Sequence, residues 1–396
     1  MGMIVHILSS SEIMKHKFIS KRYWNNISTS MGESVSLAKL YDDIINLSIG
    51  DPDLTTNEII INGAFQDAKD GHTHYTDTLG DLELRKEICK YYNNFYNYKI
   101  SLNECMVTTS GCHAMWLILE AILDDGDEVI IPEPYFTPYL QQVELARGKA
   151  VFLETLEEEE FQINIERLEK CITNRTKALI INTPNNPTGT CFSRETLENI
   201  AYIAKKHDLI VIADDIYTAF SYSEPFIPIT TLDGMKERTI SIRSFSKDYC
   251  MTGWRIGYII AEEFFINIIK DINENNVFTA PSISQRGALH ALRNREEVQE
   301  EIIAEFKERS YYAYERIRGI HYLSVLPPRG SMYMFVNIKK TGLSSKEFCD
   351  KLLEKYHILA IPGDAFGKSG EGYVRIALTV GVSKLKEAFD RLNMEF

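Results

Sequence analysis

The chain has 396 residues, 44% apolar and 25% charged, with 43 basic against 56 acidic side chains and a net charge of −13. These proportions exclude a disordered, fibrous or coiled-coil chain. The acidic balance opposes a phosphate backbone held on a broad basic face, so no nucleic-acid partner is expected. The length suits two or three domains, or one large α/β unit with an appendage. Met1 to Leu8 carries a short apolar patch without a basic lead-in or a small-residue cleavage site, which reads poorly as a signal peptide. His6 stands where a myristoylation motif needs Ser or Thr. No apolar run approaches the ~20 residues of a membrane span, so no membrane partner is expected. The seven cysteines, Cys89, Cys105, Cys112, Cys171, Cys191, Cys250 and Cys349, are odd in number and form no C-x-x-C pair. That points to a reducing, cytoplasmic compartment and away from disulfides or structural zinc. The histidines show no metal-ligand spacing, and no metal is proposed.

Residues 1–48 are read as an arm or as part of a smaller domain. From about residue 105 to 260 two kinds of segment alternate. Apolar, β-branched runs at Glu128–Ile131, Ala150–Leu153, Ala178–Asn182, Ile210–Ala213, Thr239–Ser244 and Arg255–Ile260 predict buried strands. Helical patterns at His113–Leu123, Pro138–Ala146 and Arg194–His207 lie between several of them. This alternation predicts an α/β fold: a large domain, 49–285, with a mostly parallel sheet flanked by helices. Glu157–Glu160 reads as a solvated acidic loop. A smaller α/β domain, 286–396, follows, with long charged helices over Arg293–Arg318, an apolar run at Tyr333–Ile338 and a helix at Ser345–Tyr356.

Ligands of open parallel sheets sit beyond the carboxyl ends of the strands, so the polar residues after each strand carry the functional reading. Asn182-Thr183-Pro184-Asn185-Asn186-Pro187-Thr188-Gly189 follows one strand and is, alone, an ordinary turn composition. Asp214-Asp215-Ile216-Tyr217 follows the next; Asp there serves equally as a helix cap or as a partner for a protonated ring nitrogen. Ser244-Phe245-Ser246-Lys247 follows a third. A lysine taken alone is a surface charge, but this one is succeeded by Arg255 between Gly253 and Gly257, where backbone can approach closely. Thr108 to Cys112 leads into a helix apolar nearly all round, whose free N-terminal N–H groups suit a phosphate. Together these supply a phosphate cradle (Ser110, Gly111, Cys112), a cation (Arg255), an acid (Asp214) and an amine (Lys247), which are the needs of pyridoxal phosphate.

With these motifs the chain resembles the class I/II pyridoxal-phosphate aminotransferases, of fold type I, over nearly its whole length. Further motifs of that family are Ile49-Gly50-Asp51-Pro52-Asp53, Tyr75-Thr76 with Gly80, Pro132-Glu133-Pro134-Tyr135-Phe136, Met251-Thr252-Gly253-Trp254-Arg255-Ile256-Gly257 and Val374-Arg375-Ile376. The resemblance implies transfer of an amino group between an L-amino acid and a 2-oxo acid in two half-reactions. It implies pyridoxal 5'-phosphate held covalently on Lys247 as a Schiff base, with Lys247 moving the substrate proton. Asp214 would pair with the ring nitrogen, Tyr217 and Asn186 with the ring oxygen, and Phe136 would stack on the ring. Ser110, Gly111, Cys112, Ser244 and Arg255 would bind the phosphate. Tyr75 would reach the phosphate of the neighbouring subunit, which implies a homodimer with shared sites. Arg375 and Asn186 would hold the substrate carboxylate, and Gly50 would let backbone approach it.

Asp215 stands where the family commonly has Glu, and Cys112 and His113 where it has small or amide residues. His113 is read as a first-turn helix residue. No fixed cation for an acidic substrate side chain is identifiable, and selectivity is expected from Met31–Ser36, Tyr75–Thr78 and the small domain. A C–S β-lyase or another non-transferring activity is the alternative on the same residues. A ligand-sensing module of a transcription factor is disfavoured by the short segment before Ile49. A nicotinamide dehydrogenase is disfavoured by the missing G-x-G-x-x-G.

Overall fold

The computed structural model describes residues 17–24, 37, 39 and 41–392. Its strands are β1 (Ile45–Asn46), β2 (Cys105–Thr108), β3 (Glu128–Glu133), β4 (Lys149–Glu154), β5 (Thr176–Asn182), β6 (Ile210–Asp214), β7 (Thr239–Ser244), β8 (Gly257–Ile260), β9 (Tyr333–Asn337), β10 (Ile358–Leu359), β11 (Ile361–Pro362) and β12 (Tyr373–Ala377). Helices are α1 (Glu58–Lys69), α2 (Leu82–Tyr96), α3 (Ser110–Ile122), α4 (Pro138–Leu145), α5 (Ile165–Lys170), α6 (Arg194–Lys206), α7 (Glu263–Glu274), α8 (Ser282–Arg293), α9 (Arg295–Arg318), α10 (Ser345–Tyr356) and α11 (Val382–Leu392).

The large sheet has the order β2-β8-β7-β6-β5-β3-β4. β8 is antiparallel to both neighbours, and the other pairings are parallel. Successive side chains of a strand point to opposite faces, and here both faces are covered. Ile180, Ile212 and Ile240 share one core with Ala114, Leu117 and Ile118 of α3. Leu179, Ile181, Val211 and Ala213 share another with Leu197, Ile200 and Ala204 of α6. Burial on both faces is why these strands read as unbroken apolar runs. The predicted α/β class and mostly parallel sheet are present.

A second sheet, β11-β12-β9, is antiparallel, and β1 pairs in parallel with β10 nearby. Ile45 and Leu47 pack there with Val336, Ile358 and Ile376. The boundary read at residue 285 falls inside α8. Ala288, Leu289 and Ala291 of α8 lie in a core of the large sheet, together with Val298, Ile302 and Phe306 of α9. Ala313 and Ile317 of the same helix lie in the small-sheet core. Between them Arg309 is buried and donates to Asp53 (2.7 Å), Glu305 (2.8 Å) and the Leu378 carbonyl (3.2 Å). The change of core therefore occurs within one 24-residue helix, where no break in the sequence marks it.

Two local readings differ from the structure. The strand expected from Arg255 begins at Gly257, because Thr252–Trp254 forms a 3-10 turn and Arg255 takes a positive φ of 53°. The acidic run forms a 3-10 turn at Glu157–Glu159, and the Glu157 carboxylate accepts the Tyr373 hydroxyl at 3.0 Å, tying the run to the small sheet.

Candidate active site

The large sheet delivers five polar positions to one edge. Asn182, Asp214 and Ser244 close the adjacent parallel strands β5, β6 and β7. Gly257 opens the antiparallel β8 opposite both Ser244 and Thr108, and Ser110 follows β2. Ser110 has a positive φ of 78°, which turns the chain sharply from β2 into α3. The cap residue Thr109 makes no side-chain hydrogen bond to the first turn of α3. The N–H groups there remain open to an anion, with the positive helix end behind them.

Close backbone approach shapes this corner. A Cβ on Gly257 would lie 2.6 Å from the Arg243 carbonyl oxygen and 3.0 Å from the Gly111 nitrogen, so only glycine fits. A Cβ on Gly111 would lie 3.7 Å from Cβ of Ser244. Ser244 Oγ accepts the Ser246 N–H at 3.1 Å. The exposed Arg255 side chain donates to the Thr252 carbonyl at 2.7 Å. Desolvation pushes the Cys112 thiol up, Asp214 adds to this, and Arg255 and Lys247 oppose it, so all three surround Cys112 electrostatically. The Cys112 carbonyl accepts Gln142 at 2.9 Å.

Asp214 is buried, and one carboxylate oxygen accepts the hydroxyl of Tyr139. The other, Oδ1, has no partner. Burial pushes its pKa up to about 6, against the Tyr139 hydrogen bond. Asn182 holds this strand end in place. Its Nδ2 donates to the Asp214 carbonyl at 2.7 Å, and its Oδ1 accepts the Asn186 N–H at 2.8 Å. Phe136, one helical turn before Tyr139, meets it edge-on at 5.5 Å. The buried Tyr217 hydroxyl lies 3.5 Å from Asn186 Nδ2 and 3.2 Å from the Tyr333 hydroxyl. Lys247 Nζ donates to the Gly50 carbonyl.

Behind the cleft a buried cation serves two further carboxylates. Arg243 is 3.9 Å from Asp248 and acts on Asp215, the residues that follow Lys247 and Asp214. Burial pushes both acids up to about 7, opposed by Arg243. These folded-state values and that of Asp214 exceed the ordinary carboxylate value, so the folded chain binds more protons than the unfolded chain between pH about 4 and 7. Stability then falls as pH rises through that window. The expected result is a lower melting temperature for cofactor-free protein at pH about 8 than at about 5.5, where ordinary carboxylates are already ionised. A melting temperature that rises between these values would contradict it.

Arg375 of β12 is buried, and burial holds its pKa below the ordinary arginine value. One terminal nitrogen donates to Asn186 Oδ1 at 3.0 Å, the other to the Ser48 carbonyl, and Nε has no partner. The guanidinium lies 4.6 Å over the Tyr333 ring and 4.8 Å over the Phe366 ring. A Cβ on Gly50 would fall 1.8 Å from the Tyr333 hydroxyl oxygen, so a side chain there would displace Tyr333.

The structure thus brings Gly50, Asn186, Tyr217, Lys247 and Arg375 into one connected set. Ser110, Gly111, Cys112, Ser244, Arg255 and Asp214 sit along the sheet edge, with Phe136 beside Tyr139. Tyr75 stands apart. It is 82% exposed and touches Phe278 edge-on at 4.9 Å. His113 lies in the first turn of α3, stacked on Trp116 at 6.0 Å. Sequence reasoning missed Tyr139, Asn182 and Tyr333. The spacing of Tyr139 from Phe136 was a usable signal. Tyr333 needed the β9–β12 register, which sets Phe335 opposite Arg375 and Tyr333 two residues along. The expected selectivity segment Met31–Ser36 lies outside the described residues. Among the described residues no helix is long and apolar enough to cross a membrane.

Residues 42–392 match the family model for aminotransferase class I and II. An aspartate aminotransferase of Pyrococcus abyssi is 40% identical over 367 residues, covering 90% of this chain and 94% of the relative. An aromatic-amino-acid aminotransferase 2 of Thermococcus litoralis is 39% identical, covering 90% and 92%. The crystal structure of an aromatic aminotransferase from Pyrococcus horikoshii superposes with a TM-score of 0.86 at 38% identity, covering 91% of this chain and 97% of that one. With the family model matching residues 42–392 and relatives about 40% identical along most of their length, the chain belongs to the class I and II aminotransferases, enzymes that transfer nitrogenous groups with pyridoxal phosphate.

Proposed function

We propose that this aminotransferase carries pyridoxal phosphate covalently on Lys247 and exchanges an amino group between L-amino acids and 2-oxo acids whose common handle is the α-carboxylate. The observation that carries the reading is the buried Asp214 carboxylate with an unpartnered oxygen, which acts on Cys112 together with Lys247 and on Tyr217 together with Arg375. A buried carboxylate without a partner is costly, and a protonated ring nitrogen satisfies it. The open N-terminus of α3 and the glycine-lined corner suit a phosphate. The residues present therefore fit the cofactor.

When bound, the pyridine ring supplies an electron sink for the electrons left on the substrate Cα. Asp214 keeps the ring nitrogen protonated; the cation returns Asp214 to its ionised form. Tyr217 and Asn186 donate to the ring oxygen, and Phe136 covers a ring face. Ser110, Gly111, Cys112, Ser244 and Arg255 hold the phosphate. Once the substrate amine has displaced its Nζ from the cofactor, Lys247 would take the Cα proton and return it one atom away. Arg375 clamps the α-carboxylate with a planar fork held between two aromatic faces, and the bare Gly50 leaves the space that the Tyr333 hydroxyl occupies. The relatives bear the names aspartate and aromatic-amino-acid aminotransferase, so both substrate classes enter the first screen.

A homodimer with shared sites is part of this reading. The dimer reading is supported by the exposed apolar side chains beside Tyr75: Phe278, which it meets edge-on, and Val277 and Leu82, which line the same surface hollows. All seven cysteines are free thiols, which suits a reducing, cytoplasmic compartment.

The test is the absorption of the cofactor-loaded protein on adding single amino acids without 2-oxo acid. The visible band is expected to give way to a shorter-wavelength band with the true donors, and to return with a 2-oxo acid. A persistent band with release of 2-oxo acid and ammonia would mark β-elimination instead and overturn the transfer reading.

A further inference from the structure

Tyr333 touches three functional groups at once. Its ring lies under the Arg375 guanidinium at 4.6 Å. Its hydroxyl is 3.2 Å from that of Tyr217. The same hydroxyl fills the space over Gly50, whose carbonyl receives Lys247 Nζ. Strand register places it there: Tyr333 and Arg375 are diagonal neighbours across β9 and β12.

Donor counting assigns a direction to these contacts. Arg375 can only donate, so it fixes the Asn186 amide with Oδ1 toward itself at 3.0 Å. Asn186 Nδ2 then faces the Tyr217 hydroxyl and donates to it. A phenol has one proton and two acceptor positions. If Tyr217 is to give its proton to a ring oxygen, its oxygen must accept, from Asn186 on one side and from Tyr333 on the other. Burial first, and then the Tyr333 phenol, hold the Tyr217 pKa well above the ordinary tyrosine value, so Tyr217 keeps a proton to give. The titratable and charged groups facing Tyr217 are Tyr333 from β9, Asp214 from β6, Arg375 from β12 and Tyr139 from α4.

We propose that Tyr333 is a positioning residue that acts on both ends of the site: its hydroxyl donates to Tyr217 and strengthens the Tyr217 hydrogen bond to the cofactor's ring oxygen, while its ring is the platform that orients Arg375 for the substrate carboxylate. This rests on the cofactor reading above. Chains of hydrogen bonds polarise one another, so losing the first donor weakens the second. A less stabilised ring oxygen lets the linkage at Lys247 hold its proton to higher pH.

The experiment is a spectroscopic pH titration of the cofactor band in loaded wild type, Tyr333→Phe, Tyr217→Phe and the double variant, with KM for one amino acid. Tyr333→Phe keeps the ring. It should move the band's midpoint up by roughly half a unit, while KM stays within about twofold. Tyr333→Leu removes the platform and should raise KM by about tenfold. In the Tyr217→Phe background, Tyr333→Phe should add no further shift, because its effect passes through Tyr217. A Tyr333→Phe midpoint equal to wild type, or an equal shift in both backgrounds, overturns the proposal while leaving the cofactor assignment intact. A cofactor that borohydride still fixes to the chain in Lys247→Ala overturns the cofactor assignment and this proposal with it.

Discussion

Lys247→Ala is expected to abolish the pH-titrating Schiff-base band and to lower turnover by on the order of 10⁴-fold, the upper range for a positioned acid–base group. Lys247 is the one residue asked both to hold the cofactor and to move the Cα proton, so no neighbour replaces it. Its amine rests on the Gly50 carbonyl, which is no base. The cradle at Ser110, Gly111, Ser244 and Arg255 does not depend on the lysine, so the variant should still bind the phosphate cofactor, without the band. The same variant tests the dimer. Mixed with Tyr75→Phe subunits, Lys247→Ala subunits supply an intact Tyr75 to a partner that supplies Lys247. Random mixing should restore about a quarter of the sites. Verified mixed dimers with no recovery would argue against shared sites, and retained catalysis by Lys247→Ala alone would overturn the role of Lys247.

Arg375→Ala should raise KM for every amino acid by on the order of 10²-fold or more, the cost of removing one partner from a buried charged pair. Arg375 is buried between two aromatic rings, with Nε unpartnered and two other nitrogens resting on Asn186 and Ser48. The site is thus shaped before substrate arrives, and the carboxylate meets a cation that water screens weakly. All amino acids share that carboxylate, so the loss should be common to aspartate and aromatic substrates, and their ranking should hold. Arg375→Lys keeps charge but not the fork and should fall between. A change in ranking without a common rise in KM would remove Arg375 from the carboxylate.

What was legible in the sequence follows from where the chemistry lies along the chain. Asp214, Asn186 and Ser244 come directly after apolar β-branched runs, and a strand end in a parallel sheet has one destination. Ser110 and Gly111 mark their own turn by opening a helix that needs no polar face. The contacts that assemble these pieces were not legible. Tyr139 and Tyr333 sit among apolar neighbours and read as core until β9 is paired with β12 and α4 is laid beside β6. Arg255 was read inside a strand because a positive φ at arginine leaves no trace in composition. The boundary at residue 285 failed to mark the change of core because α8 and α9 carry their apolar faces straight on to Ile317. Tyr75 shows the reverse limit: its sequence neighbours suggested a partner's site, and a single chain leaves it facing outward.

α9 has a consequence for how the molecule comes apart. A helix of 24 residues is about 36 Å long, and its backbone hydrogen bonds are shared along its whole length. Phe306 anchors it in one core and Ala313 in the other, with Arg309 bonded to Asp53 on one side and Leu378 on the other. Neither sheet can lose its α9 contacts without exposing a helix that is marginal in water by itself. The two cores are therefore joined into a single cooperative unfolding unit. A lesion in the small sheet therefore also lowers the stability of the large-sheet elements that carry Asp214 and Lys247.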